Sequence, residues 1–204
     1  MHDGCKNRLE IMGKFSGSAS LWLHAVAPFW GLALSGTTLV SALLGVSWLA
    51  LFGHIAALTL VFHLWHVALH DPRSGRLYVQ HQRHHQIHSG RSFLSAHYHS
   101  EDGLLQELTL FFAAVILLGI SAALGQSGRM LATCALAYVA LIVAGGWLHR
   151  VMHVSGHVLG RFRWFRVLRS LHFQHHVDPR SNLGIIECGI DALHGSLQLP
   201  GRSA

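Results

Sequence analysis

From Phe15 to His70 the chain reads FSGSASLWLHAVAPFWGLALSGTTLVSALLGVSWLALFGHIAALTLVFHLWHVALH, 56 residues without an Asp, Glu, Lys or Arg. No helix or sheet facing water sustains that. A bilayer core takes about 20 apolar helical residues to cross, so the stretch holds two crossings and a tight turn. They fall near 21–45 and 47–69, with Gly45, Val46 and Ser47 as the turn. Pro28 lies in the first, where a membrane helix tolerates it with a kink. Two more apolar segments follow near 104–125 and 130–149, with Arg129 interrupting between them. The expected architecture is an all-α membrane protein of one domain over 1–204. Four transmembrane helices form two hairpins, and the polar segments 70–103 and 150–196 form a histidine-rich helical cap on one side.

Composition agrees with this reading. Of 204 residues, 51% are hydrophobic and 12% charged, about half the charged share of a soluble domain. That excludes a disordered chain and a coiled coil. Cys5, Cys134 and Cys188 are isolated and odd in number, so they make no disulfide framework and no CxxC pair. With four spans, 14 of the 15 Lys and Arg share one side with both termini, and only Arg129 faces the other. Basic residues flanking spans stay in the cytoplasm. Both termini and the cap are therefore expected to be cytoplasmic, in a bacterial inner membrane or, in a eukaryote, the endoplasmic reticulum. The net charge of +6 then reads as topology and contact with anionic lipid, with no nucleic-acid partner. A cleaved signal peptide is not expected, because the first apolar stretch is too long and no cleavage site follows it.

Histidine is the second anomaly: 19 copies, nine of them between His63 and His99, six between His149 and His176, and none in 100–148. Four groups have helical ligand spacing. They are His66-x3-His70, His81-x2-His84-His85, His149-x3-His153 and His172-x2-His175-His176. Residues three and four apart share a helix face, so each group is expected to aim its rings in one direction. One helix turn cannot surround an ion, so turns must converge, and ten nitrogens exceed the needs of a single ion. A two-metal centre is the economical reading. Imidazole suits zinc, copper, iron and nickel alike. A closed structural zinc site would take four ligands, whereas nitrogen ligands to spare and no thiolate suit two irons with open positions.

The order HxxxH, HxxHH, HxxxH, HxxHH on four spans resembles the fatty acid hydroxylase and sterol desaturase superfamily of integral-membrane di-iron oxygenases. Leu77-Tyr78 through His81-Gln82-Arg83-His84-His85 is similar to the family's approach to its second box. His176-Val177-Asp178-Pro179 leading to Asn182-Leu183-Gly184 resembles the segment after its last box, and Asp191 with Gly195-Ser196 a worn form of its closing pattern. The likeness covers about residues 50–196. The chain departs from the family at Val67, where many relatives have Arg, and in lacking the closing Trp. The resemblance implies that His66, His70, His81, His84, His85, His149, His153, His172, His175 and His176 hold two iron ions that use O2 as co-substrate. It implies hydroxylation or desaturation of a C–H bond of a lipid, such as an acyl chain or a sterol-like molecule. Two ferrous ions sharing dioxygen supply an oxidant strong enough for an alkyl carbon, while the protein chooses the carbon. No GxGxxG fingerprint and no cysteine cluster is present. Electrons are therefore expected from a separate protein, of ferredoxin or cytochrome type with its reductase.

The remaining histidines are expected to play lesser parts. His63, His88 and His157 continue the ligand stripes as hydrogen-bond partners or satisfied interfacial residues, and His97 and His99 lie in a loop. His2, His24, His54 and His194 have no partner at helical spacing. Arg161, Arg163, Arg166 and Arg169 form a basic run expected to hold the cap against anionic headgroups or to dock an acidic donor. Trp65, Phe93, Tyr98, Trp147, Phe162, Trp164 and Phe165 make an interfacial aromatic belt that can line a lipid entrance. Two other functions compete. A histidine-rich metal transporter or metal-binding protein would place ionisable groups deep in its spans, and a bis-histidine haem protein leaves doublets such as His84-His85 unexplained.

Overall fold

The computed structural model describes residues 26–90, 92–98, 104–186 and 188–198. Over these the chain is helical and has no strand; an isolated bridge joins Ser95 to Val154. Four helices are long and apolar enough to cross a membrane: α1 (Ala27–Leu44), α2 (Trp48–Leu69), and then α4 (Leu104–Ala123) and α5 (Gly128–Met152). Between and after them lie α3 (Arg76–Ile87), α6 (Arg163–Val177) and the short α7 (Gly189–His194), with single 3-10 turns at Pro72–Ser74 and Val158–Arg161.

Local chemistry sets the ends of these helices. Gly45 adopts the left-handed conformation, with φ 62°, and returns its N–H to Ser41 O, while Ser47 caps α2 through Ala50 N at 3.3 Å. Ser127 caps α5 through Met130 N in the same way. One expectation changes here. Pro28 sits in the first turn of α1, where its missing N–H has no helical partner to lose, so it falls at the start of the described helix and not within it. Arg129, the charge between the third and fourth apolar segments, stands just past the turn that separates their helices. It lies in the first turn of α5, and its guanidinium donates to Leu44 O at the end of α1. Residues 21–25 of the expected first span lie outside the described residues.

The long helices carry apolar side chains all round. Leu32, Leu43, Phe112 and Leu136 are two-thirds or more exposed, a surface suited to lipid and unsuited to water. Inside, Leu58 and Phe62 of α2 pack with Leu110 and Ala114 of α4 and with Tyr138 and Ile142 of α5. His54 is satisfied there, with Nδ1 2.5 Å from Tyr138 Oη and Nε2 3.3 Å from Ser121 Oγ. α6 has a different composition, RWFRVLRSLHFQHHV, yet ten of its fifteen residues are buried. Phe165 and Leu168 pack on Val151 and Met152 at the end of α5. That packing sets the histidines of α6 against those of α5.

Candidate metal centre

Each HxxxH box closes a long helix. His66 lies in the last turn of α2 and His70 is its C-cap; His149 lies in the last turn of α5 and His153 is its C-cap. The two caps share one backbone conformation, φ and ψ of −89° and −3° at His70 and −90° and −3° at His153. His84 and His85 end α3, and His175 and His176 end α6. Four helix C-termini therefore meet at the histidines, and the negative ends of their dipoles favour a cation.

The ten box histidines form two groups whose ligand atoms lie within 4.8 Å of one another. One holds His66, His70, His81, His85 and His175; the other holds His84, His149, His153, His172 and His176. Either group could hold a metal ion. They abut, for the rings of His85 and His176 stack with centroids 4.1 Å apart. The boxes do not each aim in one direction. The first and third histidines of an HxxHH box, four residues apart, serve one group. The middle one, about 100° round the helix from the third, crosses to the other. Swapping the two halves of the chain exchanges every role: the pair at a helix end, the outer histidines of the following box, and the crossing histidine.

The nitrogens face one another as ligands do. His81 Nε2 stands 3.1 Å from His66 Nε2, 2.9 Å from His70 Nε2 and 3.1 Å from His85 Nε2. His175 Nε2 is 3.2 Å from His70 Nε2. In the second group His172 Nε2 is 3.0 Å from His153 Nε2 and 3.2 Å from His176 Nε2. A single N–H on His81 answers one of its three approaches at most. Nitrogens about 2.1 Å from a shared ion and at right angles around it stand about 3.0 Å apart, so a cation answers them all.

Backbone carbonyls set the tautomers. His66 Nδ1 donates to Leu183 O at 2.6 Å, His175 Nδ1 to Ser181 O at 2.8 Å and His153 Nδ1 to Phe93 O at 3.2 Å. Each of these rings then presents a bare Nε2 to its group, the usual arrangement of a metal-ligating histidine. Burial keeps seven of the rings neutral. It holds His81, His153, His172, His175 and His176 well below the usual imidazole pKa, with neighbouring histidines adding to the effect. At His70, burial and then His84 lower the pKa to about 4, and at His85 burial and the surrounding rings lower it to about 2. Neutral imidazole is the form that binds metal.

The loop after α6 carries two of those carbonyls, and a buried carboxylate holds it. Asp191 accepts from Leu183 N, Gly184 N and Ser196 Oγ, each at 2.7 Å. Asn182, left-handed at φ 50°, donates to Leu171 O and Gln198 O. The carbonyls of Phe93, Ser181 and Leu183 were not among the expected site groups, since backbone acceptors leave no mark on residue type. The repeated Asp-Pro-Arg-Ser builds the same turn twice, with Asp71 or Asp178 Oδ1 accepting the N–H two residues on and Ser N–H returning to the Asp carbonyl. One copy follows the first box and the other the fourth, so the repeat reflects a shared turn and not the swap of halves.

Other histidines fall outside both groups. His88 is buried, stacked on Tyr98 at 5.3 Å and against His153 at 4.1 Å. His63 is buried beside Asp191 at 4.0 Å, with His194 edge-on to it. His157 caps a 3-10 turn through Leu159 N, and His97 is exposed. His2, His24 and His99, together with Cys5, lie outside the described residues. The basic run divides. Arg169 is buried and donates to Val151 O and Val154 O at the end of α5, and Arg166 donates to Gly160 O and Arg161 O. Arg161 and Arg163 are exposed. The aromatics divide too, for Phe93 and Phe165 are core while Trp147 and Phe162 are half exposed.

Compared with protein-family models, with curated proteins and with solved structures, the chain matches none.

Proposed function

We propose that this chain is a membrane oxidoreductase whose paired five-histidine groups hold two iron ions and use O2 to hydroxylate or desaturate a lipid. The observation that carries the reading is the pairing itself. Two buried all-imidazole groups with bare nitrogens turned inward lie side by side at the ends of long apolar helices. Five nitrogens around each ion leave a coordination position for oxygen, and among the described residues no thiolate or carboxylate joins either group. When bound, the iron pair supplies the oxidation of an unreactive C–H bond. The chain holds the tautomers of His66, His175 and His153 through Leu183, Ser181 and Phe93, keeps seven of the rings neutral by burial, and walls the centre from water with α3 and α6.

In this reading α1 with α2 and α4 with α5 are two transmembrane hairpins, and α3 and α6 cap their cytoplasmic ends. The distribution of Lys and Arg supports that orientation. Electrons come from a separate carrier protein. A transporter is less well supported, because both groups sit at helix ends packed under the cap and no Asp or Glu lies in the middle of a described span.

The test is metal analysis and an optical spectrum of the purified protein, with lipid mass spectrometry of cells with and without the gene. About two irons per chain, no Soret band, and a lipid that gains oxygen or loses a hydrogen pair are expected. Zinc alone, or a Soret band, overturns the reading.

A further inference from the structure

A crevice of about 40 Å3 lies between α2, α4 and α5, beside His149. Gly145 and Gly146 stand four and three residues before that histidine, on its face of α5, so that face of the turn leading to the ligand carries no side chain. A Cβ at 145 would stand 3.3 Å from Ile186 Cγ2 and 3.5 Å from Phe62 Cε1, and one at 146 would stand 3.4 Å from Glu107 Oε1. Gln106 also lines the crevice. It is 7% exposed, and its Nε2 has no hydrogen-bond partner. A buried amide donor left unmet is unfavourable, so the crevice suits a molecule that brings an acceptor oxygen. The other walls include Phe62, Leu110 and Ile142. The nearby cation, Arg150, is already paired with Glu107. A carboxylate entering here would meet the charge of Glu107 and a guanidinium already neutralised.

We propose that this crevice seats a slender alkyl chain ending in an uncharged acceptor, an amide or ester carbonyl. That oxygen accepts from Gln106 Nε2, and the first methylenes lie against Gly145 and Gly146 beside His149. Gln106 at the start of α4 and His149 near the end of α5 lie at one level, as the pairing of their neighbours Glu107 and Arg150 requires, while Leu110 and Ile142 lie deeper, so the head sits level with the metal groups and the tail points into the bilayer. Pockets that enclose a whole polycycle are several times larger. The inference names the substrate class for the lipid oxidation proposed above and rests on it for the chemistry, though the binding itself does not.

Photolabelling of the full chain in detergent, with iron measured on the same samples, tests it. The probes are a long-chain alkanoyl amide with a diazirine near its carbonyl and the same chain as a free carboxylate. The amide is expected to label peptides bearing Phe62 or Ile142, several-fold more than the acid does. Gln106→Leu, which adds no bulk, is expected to lower labelling about tenfold. Gly146→Leu is expected to abolish it, with iron content unchanged in both variants. Equal labelling by the acid, or wild-type labelling in Gln106→Leu, overturns the proposal, the latter by leaving water as the amide's partner. If Gly146→Leu does not fold, Gln106→Leu decides alone. Iron-loaded protein that fails to label rejects this inference only; labelled protein that never holds iron rejects the oxidase reading only.

Discussion

His84 and His175 each sit one residue before the third histidine of their box, and the rotation between neighbours on a helix sends them to the opposite group. His84→Ala is therefore expected to weaken metal binding at the His149 group by at least about tenfold and to spare the His66 group. Metal titration reads this as two unequal sites, and equal weakening of both would contradict the crossing. Asp191 acts at one remove. Its carboxylate orders Leu183, whose carbonyl accepts from His66 Nδ1. Asp191→Asn places a donor amide against N–H groups, and affinity at the His66 group is expected to fall about tenfold. An unchanged affinity would show that the loop holds without it.

At the scale of helices, the histidines end four of them, and burial keeps the rings of His70, His81, His85, His153, His172, His175 and His176 neutral. The unfolded chain takes protons as pH falls below 6.5, the ordinary imidazole value, while His70 in the folded protein does not until about 4. The contribution of His70 is thus fully present above 6.5 and is lost as pH falls toward 4, and the more deeply buried rings extend the loss in the same direction. The Tm of metal-free protein is expected to drop across that window; a flat Tm would show that the rings are solvated. α2 is also tied to α5 by His54 and Tyr138. Tyr138→Phe removes a partner from the half-buried His54 ring, and a loss of about 1 kcal/mol is expected in denaturant unfolding.

For the whole molecule, the two halves bring equivalent parts to a shared centre, which requires the ends of α2 and α5 to lie on one side of the membrane. Single cysteines replacing Arg73 and Arg161, both exposed, are expected to react with an impermeant thiol reagent from the cytoplasmic side, and one replacing Leu124 only from the other side. Labelling of Arg73→Cys and Arg161→Cys from opposite sides would leave the groups no common site. Much of this molecule is legible in its sequence. A run of 56 uncharged residues has one physical outlet, apolar helices, and the Gly45-Val46-Ser47 turn and four histidine boxes follow from spacing. Periodicity along one helix says which residues share a face. It carries no information on what faces that stripe from another helix. The division into two groups of five, the inward turn of Arg169 and the carbonyls of Leu183, Ser181 and Phe93 were decided only when packing of α6 on α5 brought distant segments together. Local chain geometry acts over a few residues, while a metal group is assembled from side chains a hundred residues apart.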